Sequence, residues 1–228
     1  MTAVTDLVEV VDRLLAPEDG CVWNRAQTHA SLARYAVEES YELVDAIDSG
    51  DDDELREELG DVLYQVVLHA GIAAVEGRFD LEDVAAGARD KMVRRHPHVF
   101  GAERADTEAE VVRVWRAAKA AEKAARTSVV DGVPRAMPPL ERAGKLLERL
   151  EERGDVAAVV AAVVRAPEQA VEGTGASAGA SGSTDAVDER WGAGVLAEVA
   201  AARQAGIDVV ASLRAAVTRL EAEARVGD

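Results

Sequence analysis

The chain has 228 residues, with 26 Lys and Arg against 43 Asp and Glu, a formal charge of −17, 4% aromatic residues and one cysteine. At about 150 residues per domain this allows one large domain or two small ones. So negative a surface lacks the electrostatic footprint of a polynucleotide binder and is repelled by anionic lipid, and the lone Cys21 excludes an internal disulfide framework or a CxxC-type zinc site.

The first fifteen residues, MTAVTDLVEVVDRLL, carry acids where a secretory signal needs a basic region and an unbroken apolar stretch, which predicts a cytoplasmic protein. Apolar residues then recur at helical spacing almost throughout, with no sustained alternating run bounded by hairpin signals, so the expected class is all-α. A first helix is predicted over about residues 5–15, closed by Pro17 and Gly20, and the segment CVWNRAQTH forms a loop leading into a second helix near Ser31. That helix ends at Gly50, and its apolar stripe is Leu32, Ala36, Leu43 and Ile47, with Glu39 sitting inside the stripe. Asp51, Asp52, Asp53 and Glu54 supply an N-cap and an acidic first turn to a third helix, whose stripe is Leu55, Leu59, Val62, Leu63, Val66, Val67 and Ala70 and which ends near Gly77. A fourth helix runs from Asp80 to about Arg95, where His96-Pro97 stops it, and a fifth covers about residues 108–126.

Residues 128–140, SVVDGVPRAMPPL, hold three of the six prolines and mark a linker, expected over 128–139, between a first domain of residues 1–127 and a second of 140–228. The second contains helices over about 140–152 and 155–166, a Gly/Ser/Ala/Thr tract at about 172–185 expected to be flexible, and a final helical pair over 192–225. The longest apolar run, residues 156–164, falls far short of the roughly 20 residues a membrane span requires, so no transmembrane segment is expected. Setting Gly60 against Gly192 aligns ELGDVLYQVVLHAG with RWGAGVLAEVAAAR, and FDLEDVAAGARDKM with IDVVASLRAAVTRL after a four-residue gap. In this weak but colinear repeat Glu58 meets Arg190, Asp61 meets Ala193 and Arg95 meets Glu223, so the second copy keeps the helical pattern and loses the charges.

The chemistry concentrates in Glu38-Glu39-x-x-Glu42 on the second helix and Glu58-x-x-Asp61 on the third. Residues three or four apart project from one helix face, so each motif forms a claw of two carboxylates. The short turn at Gly50 makes the two helices antiparallel neighbours and brings the claws to similar heights. Carboxylates packed together repel and lose solvation, and a cation resolves both penalties. Oxygen-only ligands favour Mg²⁺ or Mn²⁺. For Glu42 or Glu58 alone a solvated helix face is the alternative; Glu39 resists it, because apolar neighbours at helical steps turn its face inward.

These motifs resemble the MazG family of all-α nucleoside triphosphate pyrophosphohydrolases, marked by E-E-x-x-E and, on the next helix, E-x-x-D. The resemblance extends from EESYE and ELGDVLYQVVLHA to CVWNRAQTH, EGRFDLEDV, KMVRRHPHVF and VWRAAKAAEK, across about residues 21–123, and DGVPRAMPPLERAGKLLERL resembles the connection to the second domain of longer members. It implies a helical bundle in which Glu39, Glu42, Glu58 and Asp61 bind Mg²⁺ while Glu38 orients or activates the attacking water. The implied reaction cleaves between the α- and β-phosphates of a nucleoside triphosphate and releases nucleoside monophosphate and pyrophosphate, a house-cleaning activity toward non-canonical or damaged nucleotides. A homodimer is implied too, and small bundles with apolar faces to cover are consistent with one. Two departures stand out: Asn24 replaces an Asp common in the family, and the second unit resembles a MazG domain that has lost its E-x-x-D, a degenerate copy expected to be inactive.

A triphosphate also needs protein cations, and Lys91, Arg94 and Arg95 share one face of the fourth helix, either for phosphate or for ordinary surface ion pairs. Trp115 and Lys119, one turn apart, could stack on a base and approach a phosphate, or the Trp could simply pack in the core. Trp23 and Gln27 either line the nucleotide pocket or serve as turn and capping residues. His96 and His98 are assigned no chemistry. A di-iron bundle would need Glu-x-x-His at helical spacing, which the chain lacks. An inactive helical scaffold or regulatory protein is the remaining alternative.

Overall fold

The computed structural model describes residues 2–122, 124, 128–170 and 187–225. The tract expected to be flexible at 172–185 lies outside them. Every regular element among the described residues is helical. The chain divides into two compact units, residues 1–123 and 124–228.

In the first unit, α1 (Ala3–Leu15) starts on the side chain of Thr2, which accepts from the Thr5 N–H. The loop that follows contains a single short helix, α2 (Val22–Arg25). Helix α3 (His29–Ser49) opens with a capping box in which Thr28 and Ser31 satisfy each other's backbone N–H groups. It closes on Gly50, whose φ of 72° is the left-handed conformation that glycine adopts without a Cβ clash. One residue on, the Asp51 side chain accepts from the N–H groups of Asp53 and Glu54 and starts α4 (Asp52–Val75). The tight Gly50–Asp51 turn makes α3 and α4 an antiparallel hairpin, to which α1 and α5 (Leu81–Arg95) pack through α4. Pro97 stops α5 and begins the short α6 (Pro97–Phe100), and α7 (Glu108–Glu122), the described part of the helix expected to reach 126, packs on α5.

Val11 and Leu15 of α1, Leu32 of α3 and Val67, Leu68 and Ile72 of α4 form the core. Gly71 permits this packing: a Cβ there would meet the methyl carbons of Val11 and Leu15 at 2.9 Å each. Two details of the expected stripes are corrected. Ile47 is 57% exposed and Ala46 takes the inward position at the end of α3. On α4, Leu59, Leu63 and Val66 face outward, while Gln65, Val67, Leu68, Ala70, Ile72 and Ala73 are buried. The second half of α4 is apolar almost all round, so periodicity alone does not select which face α1 and α3 cover. By length and composition α4 could cross a membrane, contrary to expectation, yet it is the central helix of the unit and carries Glu58 and Asp61.

In the second unit, α8 (Pro139–Arg153), α9 (Val156–Ala170), α10 (Glu189–Gln204) and α11 (Val209–Arg225) surround a small core of Leu147, Val199 and Ala200. The proline-rich segment belongs to this unit: Val133 is buried, and the Arg149 guanidinium donates to the carbonyl oxygens of Val129 and Asp131.

Candidate functional site

The hairpin brings Glu39 of α3 to Glu58 and Asp61 of α4, so that one carboxylate oxygen from each lies within 4.8 Å of the others. This is the one such group of metal-ligating side chains among the described residues, and it lies in the first unit. Glu39 and Glu58 are half-buried and Asp61 is exposed, an arrangement open on one side. Burial pushes the Glu39 carboxyl above the usual range, opposed by a hydrogen bond from Gln65 and reinforced by the charges of Asp61 and Glu42. Glu58 is raised likewise, first by desolvation and then by Asp61 and Glu39, and its Oε2 is buried without a hydrogen-bond partner. An orphaned carboxylate oxygen among like charges is the condition that a hard divalent cation relieves. The donor set therefore fits Mg²⁺ or Mn²⁺.

Glu42 lies outside the three-oxygen group but near enough to Glu39 to raise it. Glu38 is exposed and also outside the group. The residue that sequence reasoning missed is Gln65, which is 7% exposed and donates its Nε2–H to Glu39 Oε1 at 3.3 Å. Its signal was present: a lone amide in the apolar run LYQVVLHA, four residues after Asp61 and seven after Glu58, on the same face of α4.

The basic residues of α5 are already engaged. Glu122 of α7 accepts from Arg94 Nε at 3.3 Å and from Arg95 Nε and Nη2 at 3.0 and 2.6 Å, and the two guanidiniums hold its carboxyl below the usual range. Arg95 and Arg94 are thus a working anion clamp, closed on a carboxylate. Lys91 is exposed on the same helix. Trp115 does not offer a bare ring: Arg95 lies 5.6 Å and Lys119 Nζ 4.5 Å from its centroid, so the indole carries two cations. The Arg95 contact braces α7 against α5.

Gln27 is a capping residue: its amide donates to the Trp23 carbonyl at 2.8 Å and its Oε1 accepts from the Ser31 hydroxyl at 2.8 Å. The two ends of the amide thus link α2 to the start of α3. Trp23 is half-exposed and meets Tyr35 edge to face. Asn24 is buried, and its amide oxygen accepts from the Tyr64 hydroxyl at 3.3 Å, a structural use.

A family model, the MazG nucleotide pyrophosphohydrolase domain, matches residues 27–100, a stretch that includes the three carboxylates and the basic face of α5. The nucleoside triphosphate pyrophosphohydrolase of Escherichia coli (strain K12) is 45% identical over 156 residues, 68% of this chain and 59% of that one. The nucleoside triphosphate pyrophosphohydrolase/pyrophosphatase MazG of Thermotoga maritima is 43% identical over 150 residues, 65% of this chain and 57% of that one. The nucleoside triphosphate pyrophosphohydrolase of Mycobacterium tuberculosis is 43% identical over 153 residues, 66% and 46%. The chain thus spans about half to three fifths of the length of these relatives. A crystal structure of a mazG-related protein from Thermotoga maritima superposes with a TM-score of 0.44 at 28% identity, over 50% of this chain and 97% of that one. Residues 27–100, within the first unit, thus match the MazG nucleotide pyrophosphohydrolase domain, and the curated relatives share that likeness.

Proposed function

We propose that this protein hydrolyses nucleoside triphosphates to nucleoside monophosphate and pyrophosphate, dependent on Mg²⁺ or Mn²⁺, as a house-cleaning enzyme acting on non-canonical or damaged nucleotides. The observation that carries the proposal is the convergence of Glu39, Glu58 and Asp61, two of them with carboxyls pushed upward by burial, on one open-sided point. Those three residues, with Glu42 beside Glu39, would hold the cation. When bound, it supplies positive charge against the phosphates and acidifies water at the site. Gln65 keeps the Glu39 carboxylate in its orientation. Glu38, adjacent in sequence and exposed, is assigned the proton of the attacking water. Arg94, Arg95 and Lys91 hold phosphate oxygens, the triphosphate taking the place of the Glu122 carboxylate between the two guanidiniums. In a chain of charge −17 this local patch is what makes approach of a polyanion favourable.

The proposal includes a cytoplasmic homodimer that binds neither polynucleotide nor membrane. What supports the dimer is a run of half-exposed apolar side chains on the hairpin, Val37, Tyr41 and Ile47 of α3 with Leu59, Leu63 and Val66 of α4. The second unit, with no carboxylate group of this kind among its described residues, is assigned no hydrolysis. The test is pyrophosphate release by Glu39→Ala and Asp61→Ala. Both are expected to lose activity by at least about 100-fold, a barrier increase of roughly 2.7 kcal/mol, with helix content unchanged. Retained turnover would overturn the assignment.

A further inference from the structure

The second unit holds a cavity of about 380 Å³ between α8, α9 and α10, a size within the range of small-molecule sites. Its walls are aliphatic, with Leu146 and Leu150 of α8, Val159 and Val163 of α9 and Leu196 of α10, and it reaches Leu147 of the unit's core. The short turn at Gly154, with φ of 88°, sets α8 and α9 antiparallel and in contact, so the lining runs along both helices. From Arg142 to Leu150 the lining positions on α8 span about 12 Å at the helical rise of about 1.5 Å per residue.

The charged part of that lining is two guanidiniums, Arg142 in the first turn of α8 and Arg135 in the segment leading into it. Arg142 Nε is buried without a hydrogen-bond partner, and neither guanidinium forms a hydrogen bond or ion pair with a described residue. Other arginines of the unit are spent: Arg149 donates to the carbonyls of Val129 and Asp131, Arg153 pairs with Asp155, and Arg203 pairs with Glu151. In a chain with 43 acids against 26 basic residues, two arginines left without a carboxylate are a departure. The position of Arg142 adds to it, because the first turn of a helix carries partial positive charge and favours acids. Glu141, the acid of that turn, makes no ion pair with it, and Pro138 at the N-cap supplies no side-chain acceptor. An anion seated on Arg142 answers both the orphaned Nε and the helix dipole.

We propose that this cavity binds a small amphiphile, an aliphatic chain ending in a carboxylate or a phosphate monoester, with the chain against Leu146, Val159 and Leu196 and the anion on the guanidiniums of Arg142 and Arg135. A neutral chain would leave Arg142 Nε unmet, and a bare anion would leave the aliphatic walls in contact with water. Either head group offers two oxygens to the fork of N–H groups that a guanidinium presents. The charge of −17 repels anions in general, so a preference for the charged ligand over a neutral one has to come from these two arginines. The site draws on nothing from the carboxylates of the first unit and stands whether or not the protein hydrolyses nucleotides.

The test is equilibrium dialysis of the full chain with octanoate, octyl phosphate, 1-octanol and butyrate. Octanoate or octyl phosphate is expected to bind once per chain and about 10-fold or more tightly than 1-octanol, the scale of a hydrogen bond to a charged group, and the tighter of the two identifies the head group. Butyrate is expected to bind more weakly than octanoate by about 3-fold for each methylene it lacks, the scale of burying one CH₂. Arg142→Gln is expected to remove the advantage over 1-octanol and leave 1-octanol binding unchanged. Val163→Trp, which fills the cavity from a half-exposed position on α9, is expected to weaken octanoate and 1-octanol alike. Helix content read by circular dichroism is expected to be unchanged in both variants, and Arg142→Gln carries the test if Val163→Trp does not fold. Octanoate binding no tighter than 1-octanol or butyrate, many molecules bound per chain, or octanoate affinity unchanged in folded Arg142→Gln would overturn the proposal. So would a fall from two-chain to one-chain mass in Val163→Trp, which would make the cavity an interface between copies.

Discussion

Glu39 and Glu58 are held above the ordinary glutamate range of about 4.3, so without a cation the folded protein keeps protons that the unfolded chain releases. Their contribution to stability is largest below that range and falls as pH rises through the window up to the raised values. Asp90, Glu110, Glu122 and Asp155 are lowered and act with the opposite sign, so the quantity to read is a difference between variants. At neutral pH in EDTA, Glu39→Gln is expected to melt above the wild type, with the gap closing on acidification. Mg²⁺ is expected to raise the wild-type Tm and to raise the variant's less. Thermal scans across pH with and without Mg²⁺ check this, and a Glu39→Gln Tm at or below the wild type throughout would refute the strain at this carboxylate. At Gln65 the same logic predicts that Gln65→Leu, which removes the hydrogen bond that Glu39 accepts, costs about 10- to 100-fold in Mg²⁺ affinity, as loss of a group that orients a ligand does, measurable by calorimetry.

The α3–α4 hairpin is the element on which the site depends, and its sequence signals were mostly local. Gly50 and Asp51 mark the turn because one supplies the left-handed residue and the other the cap. Their adjacency fixes the antiparallel pairing that brings Glu39 to Glu58 and Asp61. Gly50→Ala is expected to cost about 1 kcal/mol for the positive φ, read by denaturant unfolding. Gly71→Ala, whose methyl would meet Val11 and Leu15, is expected to cost about 1–3 kcal/mol. What the sequence left undetermined depends on partners far along the chain. Ile47 and Leu59 have the spacing of core residues, yet α1 and α3 cover other faces of this bundle. The engagement of Arg94 and Arg95 by Glu122, and of Trp115 by Arg95, joins residues 20 or more apart in sequence, which a spacing rule within one helix does not see. The contacts of Gln27 are local by contrast, to Trp23 and Ser31, four residues to either side.

For the whole molecule, the proposed function has the charge of −17 discourage polyanions in general and the cation clamp on α5 admit one at a single place. The apolar outer face of the hairpin belongs to this scale as well. Sedimentation is expected to give twice the 24.1 kDa chain mass, and Leu63→Arg, placed on that face, is expected to return it to one chain. A monomeric wild type would remove the dimer from the account. The two units differ in what they carry: among the described residues the three-carboxylate group is in the first, while Arg190 and Ala193 stand in the second where the repeat aligns Glu58 and Asp61. The central claim is tested most directly by measuring pyrophosphate and orthophosphate release from canonical and modified nucleoside triphosphates in Mg²⁺, with and without EDTA, for the wild type beside Glu39→Ala. Pyrophosphate with nucleoside monophosphate, abolished by EDTA and by the substitution, is the predicted result. Release of no pyrophosphate from any nucleotide by well-folded protein, or release that survives Glu39→Ala, would contradict the account.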